Sequence, residues 1–261
     1  MNIELRKYYE RYIESYKSQS QLARVVTENW FIDNMYCPFC TSDNITDFPN
    51  NYPVADFYCN SCKEEFQLKS KKNGMGRVIT DGEYNKMIDA IYYGKTPNFF
   101  FLNYTFDMAY VNNLLIVPKE FILPTCIKKR KPLSKKAKRA GWTGCNILLN
   151  AIPDKGKIYA IRQKKVIEKD KVRNNIVSID FIRKIKNLES RGWLNDILLM
   201  VSNIKSEVFT LKDVYRYESV LKKLHPNNNH IRAKIRQQLQ ILRDNNLIEF
   251  VDRGVYKKVQ T

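Results

Sequence analysis

The stretch Pro53-Val-Ala-Asp56-Phe-Tyr-Cys59-Asn-Ser-Cys62-Lys-Glu-Glu65-Phe-Gln67-Leu-Lys69 decides how this chain is read. Cys59 and Cys62 form one C-x2-C pair. Cys37-Pro-Phe-Cys40 forms another, with eighteen residues between the two. This is zinc-ribbon spacing: Zn2+ takes four thiolates tetrahedrally, and two C-x-x-C turns deliver that geometry. Cys37, Cys40, Cys59 and Cys62 are therefore expected to hold a structural Zn2+, since a closed four-thiolate site keeps no open position for chemistry. Asp56 lies inside this clip, and the triplet Gln67-Leu68-Lys69 follows it. A period of two places Glu65, Gln67 and Lys69 on one face of a strand, with Phe66 and Leu68 on the other. Such a set suits metal-dependent phosphodiester hydrolysis. Asp56, the Gln67 side-chain carbonyl and the Leu68 backbone carbonyl would bind Mg2+. Lys69 would orient or activate water and stabilise charge on the attacked phosphate. Asp56, Gln67 and Lys69 are the candidate catalytic residues. Triplets of this kind also arise by chance, and Asp56 is then a turn residue and Lys69 a solvated one.

The 261 residues leave room for one large or two modest domains, and a formal net charge of +18 points to a polyanionic partner. Nucleic acid fits best; a merely soluble basic protein has the same composition. Only two histidines are present, His225 and His230, which excludes a histidine-rich catalytic metal site. Six cysteines without a secretory h-region point to a reducing, cytoplasmic setting. No apolar run approaches a membrane span, so no membrane partner is expected.

Outward from the clip, residues 1–35 read as two helices, the second carrying Leu22, Val25, Val26 and Trp30 at helical spacing after a Ser18–Ser20 cap. Val54–Tyr58 and Glu65–Lys69 read as strands. A helix is bracketed by Gly82 and Gly94, and buried strands are expected at Asn98–Tyr104, Leu114–Val117 and Ile158–Ile161. Helices flanking a mixed sheet make this an α/β domain, assigned to residues 1–185 with the zinc insert at about 37–62. Charge replaces periodicity over 164–175, which reads as a linker or loose helix. Residues 186–261 read as three helices and a hairpin turning at Gly254, the order of a winged helix-turn-helix. The first helix follows Trp193, the second runs from a Phe209–Thr210 cap to Leu224, and the third buries Ile231, Ile235, Leu239 and Leu242.

Two surfaces suggest DNA contact. Residues 128–139 are densely basic and lead into Arg139-Ala-Gly-Trp142. Lysines engage phosphates while an aromatic held between glycines reaches bases; a solvated charge run and a core tryptophan are the plainer readings. On the third helix Asn229, His230, Arg232 and Arg236 lie off the apolar stripe, where a recognition helix reads base edges, and Arg253 in the wing suits a phosphate. A protein-binding winged helix is the competing reading.

The two C-x-x-C pairs, Pro53–Cys59, Leu68-Lys-Ser-Lys-Lys72, Arg139–Trp142, Ser190-Arg-Gly-Trp193 and residues 234–244 together resemble, nearly end to end, the DpnI-like methyl-directed (type IIM) restriction endonucleases of the PD-(D/E)xK superfamily. The resemblance implies a PD-(D/E)xK core followed by a winged helix. It implies a monomer with Mg2+-dependent cleavage of double-stranded DNA at GATC carrying N6-methyladenine, leaving blunt ends. It also implies that both domains read the methylated target, with Trp142 the candidate on the nuclease side. One departure stands out. The family expects an acid where this chain has Gln67, and Glu65 on the same face is a candidate for the missing charge. A zinc-containing methylated-DNA-binding regulator with weak or no catalysis is the alternative function, and an RNA-directed nuclease is a further one.

Overall fold

The computed structural model describes residues 1–49, 52 and 54–259; Pro53, at the head of the quoted stretch, lies outside them. The chain divides into two compact units, Met1–Ala151 with Gly156–Val177, and Ile152–Lys155 with Ser178–Thr261.

The first unit opens with α1 (Arg6–Tyr12) and α2 (Gln19–Asn34). It continues through β1 (Thr46–Asp47), β2 (Phe57–Tyr58), β3 (Glu65–Lys72), β4 (Val78–Glu83), α3 (Tyr84–Tyr92), β5 (Asn98–Tyr104) and β6 (Val111–Val117). Then come β7 (Ile127–Lys129), β8 (Gly144–Leu148), β9 (Ile158–Arg162), β10 (Lys165–Val166) and α4 (Lys169–Val177). Among the described residues, seven strands form a mixed sheet in the order β1-β2-β3-β5-β6-β9-β10. β3 and β5 run parallel, from Phe66 opposite Asn98 to Lys72 opposite Tyr104, and the other pairs are antiparallel. Every residue of β5 is buried, as a near-continuous apolar run requires of a strand covered on both faces. The Phe31 ring of α2 lies 4.7 Å from Phe57 and 4.8 Å from Phe100, and Phe66 lies 5.4 Å from Phe100. This cluster seats α2 on the strands that carry the quoted stretch. A smaller antiparallel sheet, β4-β8-β7, packs with α3.

Two local expectations are corrected. Val54 is exposed with φ +76°, so no strand spans 54–58 and pairing begins at Phe57. Residues 164–175 are not a linker: after the short β10 they form α4, because Val172 and Ile176, one turn apart, are both buried.

The second unit comprises α5 (Asp180–Arg183), α6 (Leu188–Asn203), β11 (Val208–Thr210), α7 (Leu211–Tyr215), α8 (Glu218–Leu224), α9 (Ile231–Asp244), β12 (Ile248–Asp252) and β13 (Val255–Lys258). Its strands pair antiparallel as β11-β13-β12, and Gly254 takes φ +73° in the wing turn. α6 begins earlier than its apolar pattern suggested, because the Asn187 side chain accepts the Ser190 N–H and caps it. The single helix expected from Thr210 to Leu224 is broken at Arg216–Tyr217, where Tyr217 leaves helical geometry (φ −90°, ψ 5°). Thr210 and Asp213 form a capping box on α7. Ile231, Ile235, Leu239 and Leu242 form the buried stripe of α9 as expected, so the unit is a winged helix-turn-helix.

Phe100 is fully buried at the centre of the aromatic cluster. Phe100→Ala is expected to destabilise the first unit by about 3–5 kcal/mol, read as a lowered midpoint in thermal or urea unfolding.

Candidate active site and four-cysteine centre

The sulfurs of Cys37, Cys40, Cys59 and Cys62 all lie within 4.8 Å of one another, the one such cluster among the described residues. All four are free thiols, with Cys37 Sγ 3.5 Å from Cys62 Sγ and Cys40 Sγ 3.6 Å from Cys59 Sγ. The second knuckle is a tight turn in which Cys59 N–H donates to the Glu64 carbonyl and Lys63 N–H to the Cys59 carbonyl, Lys63 taking φ +60°. Burial pushes the Cys37 thiol upward and Cys62 to about 11. At Cys59 burial acts upward too, but the N–H groups of Cys62 and Ser61 together with the Cys40 and Cys37 thiols outweigh it and lower the thiol to about 6. The first knuckle is bound to α4: Arg173 donates to the carbonyls of Cys37 (3.3 Å) and Ser42 (3.0 Å), and Lys169 pairs with Asp43 at 2.7 Å. The donor set and its compactness fit a four-thiolate metal centre. Cys126 and Cys145 stand apart and buried, and burial pushes their thiols up to about 12 and about 11, so they are core residues.

Asp56 immediately precedes β2. Its N–H donates to the Phe66 carbonyl at 2.9 Å, and its carboxylate Oδ2 accepts the Leu68 N–H at 2.9 Å. The side chain thus takes a donor that a longer β2 would have satisfied, and it brings the acid against the backbone of the Gln67–Leu68–Lys69 triplet. Burial raises the Asp56 carboxyl; the Leu68 N–H, Lys69 and Arg24 pull it down, and Asp81 pushes it up. Lys69 does not point into solvent: its Nζ pairs with Asp81 Oδ1 at 2.5 Å. Asp81 was missed by sequence reasoning. It sits on β4, where exposure alternates from Val78 and the Asp falls on a buried phase, and that misplaced acid was the available signal. A cleft of about 460 Å3 opens beside Asp56, lined among others by Arg24, Glu28, Asn29, Asp47 and Phe48. Of the site residues nominated from sequence only Asp56 lines it; Glu65, Gln67, Leu68 and Lys69, like Asp81, do not.

Trp142 is half-buried, and the Arg139 guanidinium lies 4.6 Å from its ring centre. The indole lies over Gly144, where a Cβ would come within 2.9 Å of it. The residues from Lys128 to Arg139 are exposed apart from Ala137, which is half-buried. On the winged helix, Asn229 and His230 line a cleft of about 510 Å3 with Ala233, Lys234 and Gln237. Arg232 and Arg236 are not in that lining: Arg232 pairs with Glu218 at 2.8 Å, and Arg236 donates to the Tyr215 hydroxyl at 2.9 Å. Arg253 is exposed in the wing turn.

Stripping the four-cysteine centre with a strong chelator is expected to lower the unfolding midpoint of the first unit and to release four thiols to a thiol reagent. Cys126 and Cys145 should react only after denaturation; modification of all six in the native, metal-loaded protein would contradict the assignment.

Among the described residues no helix is long and apolar enough to cross a membrane. The family model described as the Dam-replacing family (DpnI) matches residues 2–185, and that of the Dam-replacing HTH domain matches residues 189–258. A helix-turn-helix in such a family makes DNA the partner and a nuclease the activity class. The chain belongs to the Dam-replacing (DpnI) family, that of the DpnI-like methyl-directed restriction enzymes.

Proposed function

We propose that this chain is a Mg2+-dependent endonuclease that cleaves double-stranded DNA at GATC sites carrying N6-methyladenine, leaving blunt ends and acting as a monomer. The observation that carries the reading is the hydrogen bond tying the Asp56 carboxylate to Leu68, next to Gln67 and the Asp81-held Lys69. The ligands proposed for the cation are all oxygens: the Asp56 carboxylate, the Gln67 side-chain carbonyl and the Leu68 backbone carbonyl. That set fits a hard cation such as Mg2+ and not a thiophilic one, whereas the four cysteines fit Zn2+ in a structural role. Mg2+ bound there supplies Lewis-acid polarisation of the phosphodiester and neutralises developing charge.

The chain's own groups do the rest. Asp56 is held at the strand edge by the Leu68 N–H. Lys69, paired as an ammonium ion with Asp81, acts as an electrostatic stabiliser of the phosphorane-like charge and not as a base. Trp142 and the start of α9, with Asn229 and His230 in its cleft, are the proposed readers of the methylated bases; Arg139, Arg232, Arg236 and Arg253 are the proposed phosphate and base contacts. Two readers matter for a quantitative reason. Burying the two methyls of a palindrome is worth about 1.6 kcal/mol, roughly fifteenfold, and independent reading by both domains squares it. A second reading, a methylated-DNA-binding protein with weak or no catalysis, is favoured by one observation, the neutral Gln67.

The deciding assay incubates adenine-methylated and unmethylated preparations of one plasmid with Mg2+ or with EDTA. GATC-spaced, blunt-ended fragments are expected only from methylated DNA with Mg2+. Binding without cutting would establish the second reading, and methylation-blind cutting would remove the specificity. Asp56→Asn and Lys69→Ala should each lower the cleavage rate by about 100-fold or more while leaving binding of methylated DNA in place. Because burial raises the Asp56 carboxyl, protons compete with the cation above the usual carboxylate range. Cleavage should therefore fall on acidification before ordinary carboxylates titrate, and added Mg2+ should shift that fall to lower pH.

A further inference from the structure

One side chain holds the turn that leads into α9. Lys222, in the last turn of α8, donates from Nζ to the Pro226 carbonyl at 3.0 Å, the Asn228 carbonyl at 2.8 Å and Asn229 Oδ1 at 3.1 Å. An ammonium group has three N–H donors and no acceptor, so these bonds use all of them. His230, which precedes α9, makes no side-chain cap bond, and its own N–H donates to Asn228 Oδ1 at 2.7 Å. The start of α9 is thus set by the turn before it, and that turn is gathered around Lys222. The same bonds decide which way Asn229 faces. Because an ammonium only donates, the amide atom against it must be the oxygen, and Nδ2 with its two N–H groups is the end that remains to meet a ligand. Asn229 lines the cleft at the start of α9 with His230, Lys234 and Gln237.

We infer that Lys222 is a positioning residue of the DNA reader: it fixes Asn229 as a hydrogen-bond donor, so that Asn229 meets an acceptor on a base edge, guanine N7 or O6, and not the N6–H of methyladenine, which needs an acceptor. The inference rests on the reading by the start of α9 proposed above and deepens it. On so basic a chain an exposed lysine beside a recognition helix would ordinarily be counted as a phosphate contact. Lys222 has spent its donors inside the turn and has none left for a phosphate. The two roles differ in what they change. A lysine that neutralises a phosphate steepens the salt dependence of binding and helps every DNA alike, whereas one that orients a base contact changes the ratio between right and wrong sequences.

The test measures binding of the zinc-loaded full chain, without Mg2+, to two adenine-methylated duplexes: one carrying GATC and one in which the G and C of the site are exchanged. Lys222→Met should lower the preference for GATC by about tenfold and leave the slope of affinity against salt unchanged. Asn229→Ala should lower the preference likewise, and the double variant should lose no more than the worse single one. A slope reduced by about one with the preference intact would make Lys222 a phosphate contact. Equal weakening on both duplexes would make it merely structural, and additive losses would mean that it does not act through Asn229. Each of these would overturn the role of Lys222 while leaving the reading by Asn229 standing. An unchanged preference in Asn229→Ala would remove that reading itself, and the inference with it. If Lys222→Met does not fold, nuclear magnetic resonance of the unmutated chain decides. The Lys222 ammonium protons should exchange slowly and stay protected when DNA binds; fast exchange, or loss of protection on DNA, would overturn the inference.

Discussion

The hydrogen bond from the Leu68 N–H to the Asp56 carboxylate is the constraint on which the proposed site depends. A strand edge with an unpaired N–H must find an acceptor, and here the acceptor is a side chain instead of another strand. With Asp56 in that position, β2 begins only at Phe57, Val54 takes a left-handed conformation, and among the described residues the β3 edge from Gln67 onward has no second strand partner on that side. The opposite edge of β3 is fully committed to β5, whose seven buried residues give the strand a rigid backing. An acid, an amide and an ammonium ion are thereby held by backbone pairing and not by flexible loops, which is the condition for electrostatic preorganisation.

The four-cysteine centre serves the same end from the other side. Cys59 follows Asp56 by three residues, and its knuckle makes the turn that returns the chain as β3. α4 clasps the first knuckle through Arg173 and Lys169, with Tyr36 between the two cations, each 5.2 Å from its ring. Glu64 in the second knuckle accepts from both Lys119 and the fully buried Asn98, which fastens the turn to the sheet. Position at the site is therefore shared between thiolate geometry and a buried polar network.

How much of this was legible in the sequence depended on the range of the interaction. The cysteine clip could be read because its spacing is a local rule, and β5 because Phe99–Leu102 is an unbroken apolar run. The stripe of α9 was equally plain. α4 was opaque because only Val172 and Ile176 carry its buried face among charged neighbours, and its anchors are carbonyls more than 130 positions earlier in the chain. Asp81 was harder to read for a related reason. Its phase on β4 marks a buried acid, but its partner lies on another sheet, and no period in the sequence announces Lys69. The break between α7 and α8 escaped notice because Val214, Tyr217 and Leu221 keep helical spacing across it.

All six cysteines fall in the first unit, and the winged helix is assembled from apolar packing, caps and side-chain pairs such as His225–Asp196, with no thiol among them. Scarcity of metal therefore falls unequally on the chain. Under the proposed function, a molecule made in a zinc-starved cell would carry a damaged cutting half and an intact winged helix, so it could still sit on its target without severing it. Such molecules would shield the sites from fully loaded copies, and the restriction barrier would weaken with the metal supply faster than the amount of protein alone would dictate.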